Sequence, residues 1–308
     1  MDLRDIFGIQ YPIIQGGMAN IATGAFAAAV SNGGGLGLIA TGGFDLEGVR
    51  QEIRAARGLT DKPFGVNLML MHPQAEEIAE MLIEEGVKIV TTGAGNPAKF
   101  MPKWKEAGMK IFPVIPSSAL AQRMEKYGAD GVIAEGTESG GHVGEMTTMA
   151  LIPQVCQAVS IPVVAAGGVA CGGQMLAAFA LGACGVQIGT ALLLAEECPI
   201  HMAYKQAIIE AKDTDTTVTG RTAGVPVRAL KNPMTREYLK LEKTGADKEA
   251  LEHFTLGSLR KAVFDGNTKE GSLMAGQVAG QLTEIRPVAE ILRGLSEGCG
   301  KRLKELLP

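Results

Sequence analysis

Much is missing from this chain. Its five cysteines (Cys156, Cys171, Cys184, Cys198 and Cys299) are odd in number and include no Cys-x-x-Cys pair. That argues against a structural zinc site or a disulfide framework and fits a reducing compartment. No basic block occurs and the net charge is −4, so nucleic acid is not an expected partner. No apolar run approaches the roughly 18 residues of a membrane span. The opening Met1-Asp-Leu-Arg-Asp-Ile-Phe-Gly carries no apolar signal core, so a cytoplasmic location without membrane contact is expected. No His-Glu-x-x-His, His-x-x-Glu-His or carboxylate cluster has metal-ligand spacing, and no metal site is expected. Without a Gly-x-Ser-x-Gly elbow, serine hydrolysis is disfavoured. Nor does an early Gly-x-Gly-x-x-Gly follow the first strand-like run, as an open dinucleotide-binding sheet would have it.

What is present is a regular alternation. With 308 residues, 46% of them hydrophobic, the chain can bury a large core. Short β-branched or apolar runs recur at 12–15, 37–40, 65–68, 89–92, 111–115, 131–135, 163–166 and 186–188. Helix-like runs separate them, several ending at a glycine such as Gly58, Gly86, Gly108 or Gly128, each a plausible C-terminal stop. Eight such units in about two hundred residues is the arithmetic of an α/β fold, a TIM-type (β/α)8 barrel. Beyond Leu194 the pattern changes. Runs at 199–212 and 248–263 read as helices, 213–227 as extended or irregular, and 286–306 as an amphipathic helix broken near 294–300. We expect a barrel over 1–200, with 273–308 returning to pack on it, and a smaller, mainly helical domain at 201–272.

Barrel chemistry sits where strands meet the following loops, so candidate residues are sought there. Gly17 and Met18 follow the first strand, where paired glycines permit close approach to a planar ligand. Asn67 ends the third strand with an amide that can both donate and accept. Thr92 ends the fourth. The sixth leads into Glu135 and then His142, flanked by Gly140, Gly141 and Gly144. That histidine reads as part of a flexible, close-approach loop, and imidazole suits proton transfer near neutral pH. His72, His201 and His253 read as turn or helix residues. Gly167 and Gly168 after the seventh strand, and Gly189 and Thr190 after the eighth, suit backbone contact with a phosphate. Gln187 faces either the ligand or the helices, depending on strand parity.

These segments carry a resemblance. Tyr11-Pro-Ile-Ile-Gln-Gly-Gly-Met, Lys62-Pro-Phe-Gly-Val-Asn, Thr91-Thr-Gly-Ala-Gly-Asn-Pro, Glu135-Gly-Thr-Glu-Ser-Gly-Gly-His, Ile161-Pro-Val-Val-Ala-Ala-Gly-Gly, Gly185-Val-Gln-Ile-Gly-Thr, Val227-Arg-Ala-Leu-Lys-Asn and Gly271-Ser-Leu-Met-Ala-Gly-Gln-Val-Ala-Gly span nearly the whole chain in order. Together they resemble the family that joins nitronate monooxygenases to the flavin-dependent (FabK-type) enoyl-acyl-carrier-protein reductases. Thr91–Pro97, Arg123-Met-Glu-Lys-Tyr-Gly-Ala-Asp and Ser272-Leu-Met-Ala-Gly-Gln are more similar to the reductase branch. Three positions depart from many relatives: Asn20 stands where they carry Trp, Cys171 where they carry Asp, and Ala191 where they carry Arg.

The resemblance implies non-covalent FMN. Gly17 and Met18 would approach its ring, Asn67 and Gln187 its edge, and Gly167, Gly168, Gly189 and Thr190 its phosphate; Thr92, Glu135 and Gly141 complete the set. It also implies NADH or NADPH as co-substrate and, as in some relatives, a monovalent cation. The implied reaction reduces a trans-2-enoyl thioester of an acidic acyl carrier protein, with protonated His142 as catalytic group and Arg221, Arg228, Lys231 and Arg236 as carrier-docking residues. A homodimer is the default assembly. The rival readings are a nitronate monooxygenase with the same cofactor, a flavin-binding protein without turnover, and another phosphate-binding barrel enzyme.

Overall fold

The structure is a computed structural model and describes residues 2–307. Eight parallel strands form the barrel: β1 (Ile13–Gln15), β2 (Gly37–Ala40), β3 (Phe64–Met69), β4 (Ile89–Gly93), β5 (Lys110–Ile115), β6 (Val132–Glu135), β8 (Val163–Ala166) and β9 (Gly185–Ile188). Their order is β1-β9-β8-β6-β5-β4-β3-β2. The seam between first and second strands is closed by Gln15 N–H donating to Leu36 O at 2.9 Å and Leu36 N–H to Ile13 O at 2.9 Å. One step further the Gln15 side chain takes over, its Oε1 accepting from Leu38 N–H at 3.2 Å. All eight expected strands are present, with ends shifted by a residue or so.

Strand parity divides the apolar residues into two cores. Ile14, Leu38, Ile89, Phe112, Ile133, Val164 and Ala166 meet inside the barrel, closed from below by Leu3 and Phe7 of helix α1 (Leu3–Phe7). Ile13, Ile39, Val66, Val90, Val132, Ala165 and Val186 face outward onto the helical layer. That layer comprises α2 (Gly24–Asn32), α3 (Leu46–Leu59), α4 (Ala75–Glu84), α5 (Met101–Glu106), α6 (Ser118–Lys126), α7 (Thr148–Ala158) and α8 (Gly172–Ala180). Several starts are capped by side chains: Thr23, Asp45 and Ser117 each accept from a first-turn N–H.

After β9 come α9 (Thr190–Leu193), α10 (Met202–Ile209), the strands β10 (Thr216–Thr219) and β11 (Val227–Leu230), α11 (Pro233–Lys243), α12 (Lys248–Thr255), α13 (Ser258–Val263) and α14 (Val288–Leu306). The region read as extended or irregular is thus partly a hairpin. Its strand β11 also pairs with β7 (Gly141–His142), giving a small antiparallel sheet in the order β10-β11-β7.

The last helix is continuous; the expected break at 294–300 does not occur. One of its glycines, Gly298, packs against α8 instead. A Cβ at Gly172, the first residue of α8, would coincide with backbone of Gly298 and Cys299, so the two helices touch main chain to main chain. Replacing Gly172 by Ala is therefore expected to destabilise the fold by about 1–3 kcal/mol through forced backbone displacement. Gly300→Ala, with nothing within 4 Å of the added methyl, should stabilise by about 0.5–1 kcal/mol; urea unfolding of both variants checks the contrast.

Candidate functional site

A cavity of about 400 Å³ opens at the C-terminal ends of the barrel strands, within the size range of ligand pockets. Parity puts its polar groups there. Val66 and Leu68 face out, so Asn67 faces in; Val186 and Ile188 face out, so Gln187 faces in; Val132 and Ala134 face out, so Glu135 faces in. Gly17, Met18, Asn67, Glu135, Gly141, His142, Gly167, Gly168, Gln187, Gly189 and Thr190 all line the cavity. Thr92 does not: like Val90 it points to the helical layer and is buried there. Its neighbour Thr91 is the residue that matters. Thr91 Oγ1 donates to Asn67 Oδ1 at 2.8 Å, which leaves the Asn67 amide N–H₂ free for the cavity. Counting inward from Ile89 would have picked Thr91 over Thr92. Gly17 is required beside this pair, because a Cβ there would overlap the Asn67 side chain.

The His142 segment is not the free loop that its glycines suggested. His142 pairs with Val227 and Gly141 with Arg228 across β7 and β11. Val143 N–H donates to Pro226 O at 3.1 Å, Thr137 N–H to Met146 O at 2.7 Å, and Gln277 N–H to Glu138 O at 2.9 Å. A Cβ at Gly140 would collide with the backbone of Ala275 and Gly276; there glycine permits close packing, not motion. The opposing segment is held in turn by Gly276 N–H donating to Thr190 Oγ1 at 2.9 Å and by the buried Tyr204 hydroxyl donating to Met274 O at 2.7 Å. Met274, Val278 and Leu259 of α13 complete the cavity wall; apolar residues distant in sequence leave no local signal for this role.

Three other groups differ from expectation or escaped it. Glu138 also lines the cavity, its carboxyl accepting from Thr148 N–H and Oγ1 at 2.9 Å. Cys171 and Ala191 do not line it: Cys171 is exposed at the start of α8 and Ala191 is buried in α9. Arg228 is only 7% exposed, so it is not a docking residue. The other histidines have structural partners or lie elsewhere. His72 Nε2 donates to Phe44 O at 2.9 Å, and His201 Nδ1 accepts from Ala203 N–H at 3.0 Å.

The cavity holds few charges, and His142 at its rim is still exposed to solvent on one side. Burial lowers the His142 pKa from 6.5, so the imidazole is neutral at neutral pH and not the imidazolium expected. Glu135 moves the opposite way: loss of water raises its pKa from 4.5 to about 7, with Ser139 pulling weakly downward. Among the described residues no cation lies within ion-pair distance of Glu135. Among the described residues no three His, Cys, Asp or Glu side chains come together as a metal-binding group.

A closed (β/α) barrel with its polar groups gathered at the strand C-termini places the chain among the TIM-type barrel enzymes. The family model for nitronate monooxygenase matches residues 1–298, and the chain belongs to that family. It is similar to the solved structure of FabK from Thermotoga maritima, with a TM-score of 0.96 and 45% identity over 99% of this chain and 97% of that one. It also resembles the nitroalkane oxidase of Streptomyces ansochromogenes, with a TM-score of 0.86 and 29% identity over 99% of both chains. A carboxyl-CoA dehydrogenase of Mycobacterium tuberculosis is 30% identical over 95% of this chain and 94% of its own length. The protein is an oxidoreductase, and the nitronate monooxygenase and FabK families are FMN-dependent.

The Glu135 shift has a stability consequence. A carboxyl whose folded pKa lies above its unfolded value favours the fold only while protonated, so stability falls as pH rises from about 4.5 to about 7 and then levels off. Glu135→Gln should remove this fall. The unliganded proteins should unfold alike near pH 4, and the variant should be the more stable by up to about 3 kcal/mol near pH 8, read from denaturant titrations at both values.

Proposed function

We propose that the protein is an FMN-dependent enoyl-acyl-carrier-protein reductase that uses NADH or NADPH to saturate trans-2-enoyl thioesters. The observation that carries this reading is the 45% identity to the Thermotoga maritima FabK over nearly the full length of both chains. The residues present fit the cofactor. Asn67 has an amide N–H₂ to spare; Gly167 and Gly168 have φ of 90° and 76° and expose backbone that a side chain would cover; Gly17 keeps the first loop bare. Gly17, Met18, Asn67, Glu135, Gly141 and Gln187 would hold the ring and ribityl chain, and Gly167, Gly168, Gly189 and Thr190 the phosphate. Bound FMN supplies a two-electron hydride carrier between nicotinamide and thioester.

His142 serves the substrate. The β carbon of the enoyl thioester gains a hydride, negative charge develops on the thioester oxygen, and the α carbon then takes a proton from solvent water. A neutral imidazole keeps one N–H, and that donor stabilises the oxygen as charge builds. Val143, Val278, Leu259 and Met274 give it an apolar surround on the cavity side. Residues 201–272 form a smaller unit that closes one side of the mouth over the barrel of 1–200 and 273–308. The exposed Arg221, Lys231 and Arg236 meet the acidic carrier.

The likeness to the Streptomyces nitroalkane oxidase supports a second reading, a nitronate monooxygenase in which His142 orients or deprotonates the substrate and oxygen takes the electrons. One anaerobic experiment separates them. Protein loaded with FMN and reduced by NAD(P)H should regain its oxidised absorbance on adding a short trans-2-enoyl thioester, with the saturated thioester as product. A flavin that stays reduced, together with nitronate turnover in air, selects the monooxygenase; retention of FMN without either turnover leaves a binding protein. His142→Ala should slow the thioester half-reaction by about 10²–10⁴-fold while sparing flavin reduction, and equal loss of both would remove the assigned role.

A further inference from the structure

The fold contains a buried cation with no anion to match. Arg228 is 7% exposed, yet among the described residues no carboxylate lies within 4.0 Å of its guanidinium. Its Nε donates to Thr137 O at 3.0 Å and its Nη1 to Thr216 Oγ1 at 3.1 Å. Burial, and then the neighbouring Arg221, pull its pKa below the usual value, against an opposing pull from Glu138, which lies beyond ion-pair distance. Withdrawing an unpaired charge from water is costly, and an apolar residue of similar volume would avoid that cost. Stability alone therefore does not account for an arginine here.

Its placement does. Arg228 lies on the central strand of the small sheet, directly opposite Gly141, and its neighbour Val227 lies opposite His142. The side chain reaches back to Thr137, five residues before His142 in the same segment. One residue thus grips the segment twice, by backbone pairing near its end and by a charge-assisted hydrogen bond near its start. The other strand, β10, supplies the second acceptor, Thr216.

We propose that Arg228 is a positioning residue that fixes the His142 imidazole in the cavity by tying the 137–142 segment to the β10–β11 hairpin. The direction of the imidazole then depends on the hairpin as much as on the barrel. The role in turnover rests on the reductase reading; the effect on the imidazole itself does not. The titratable or charged groups around the segment are Glu135 and Glu138 on its own length and Arg221 and Arg228 on the hairpin. The cavity walls from β1, β3, β4, β5, β8, β9 and residues 259–278 present no charged side chain. Electrostatic contact with Arg228 is not among the causes that lower the His142 pKa; burial is.

The test is an NMR titration of the His142 ring in the unliganded full-length protein, its signal identified by its loss in His142→Gln. In Arg228→Met the segment should loosen and the imidazole lose its contact with the cavity wall, so its titration should move upward towards 6.5. Arg228→Lys keeps the charge but cannot span both acceptors, and should move it partway. Thr216→Val, which removes one acceptor and leaves Arg228 in place, should give a smaller shift of the same sign and guards against failure of the other variants to fold. In FMN-loaded protein, thioester-dependent reoxidation should slow by about tenfold to a hundredfold in Arg228→Lys, with kcat affected more than KM and flavin reduction little changed. A lowered Tm with an unmoved His142 titration in these variants overturns the proposal. A shifted titration in a protein that never reduces enoyl thioesters upholds the positioning role while overturning the reductase reading.

Discussion

The two-residue period of a β-strand governs the site. Side chains alternate between the barrel interior and the helical layer, so each strand has one parity that reaches the ligand and one that builds the fold. At the upper rim the inward parity carries Asn67, Glu135 and Gln187, with Thr91 buried beneath and hydrogen-bonded to Asn67, while Val66, Val90, Val132 and Val186 on the other parity anchor the strands. A one-residue slip in any strand would exchange these roles and bury the polar groups against helices. The lower interior therefore has to be tightly filled. Phe112, Ile133, Val164 and the plug of Leu3 and Phe7 set the height at which the polar rim begins.

Above the rim the constraint changes in kind. The barrel supplies a ring of positions, but the histidine comes from a segment that leaves the barrel, pairs with a strand some eighty-five residues later in sequence and packs against the chain near Ala275. Each of these contacts uses main-chain groups: carbonyls of Pro226 and Glu138, amides of Val143 and Gln277. The glycines at 140, 141 and 276 make such contacts sterically possible. Partial burial against the cavity wall lowers the His142 pKa, and loss of water holds Glu135 protonated well above its ordinary range.

The strands were legible in the sequence because each is a short apolar run bounded by glycine or a polar turn, and the helices because glycine stops them. Most cavity residues were legible too, since a (β/α) barrel gathers its chemistry at strand C-termini. Thr92 was misread because two adjacent threonines share a composition and differ only in parity. Rigidity at His142 was invisible because its partners, Val227, Pro226 and Gln277, are remote, and flanking glycines signal close approach as readily as freedom. Arg228 resembled its exposed neighbours Arg221 and Arg236 until tertiary packing enclosed it. Gly298 of α14 likewise looked like part of a break until α8 lay against it.

That last contact bears on how the chain comes together. Helix α14 lies against α8 and α2, and so covers the flank of the barrel where its earliest and latest strands meet. The strands on either side of that flank can pair as soon as they exist, but their outer surface stays wet until the final helix arrives. Long-range closures of this sort are slow, because the entropy of joining distant segments must be overcome before their contacts form. During synthesis, then, most of the cylinder can assemble while one stave is still bare, and α14, made after every barrel strand, seals it.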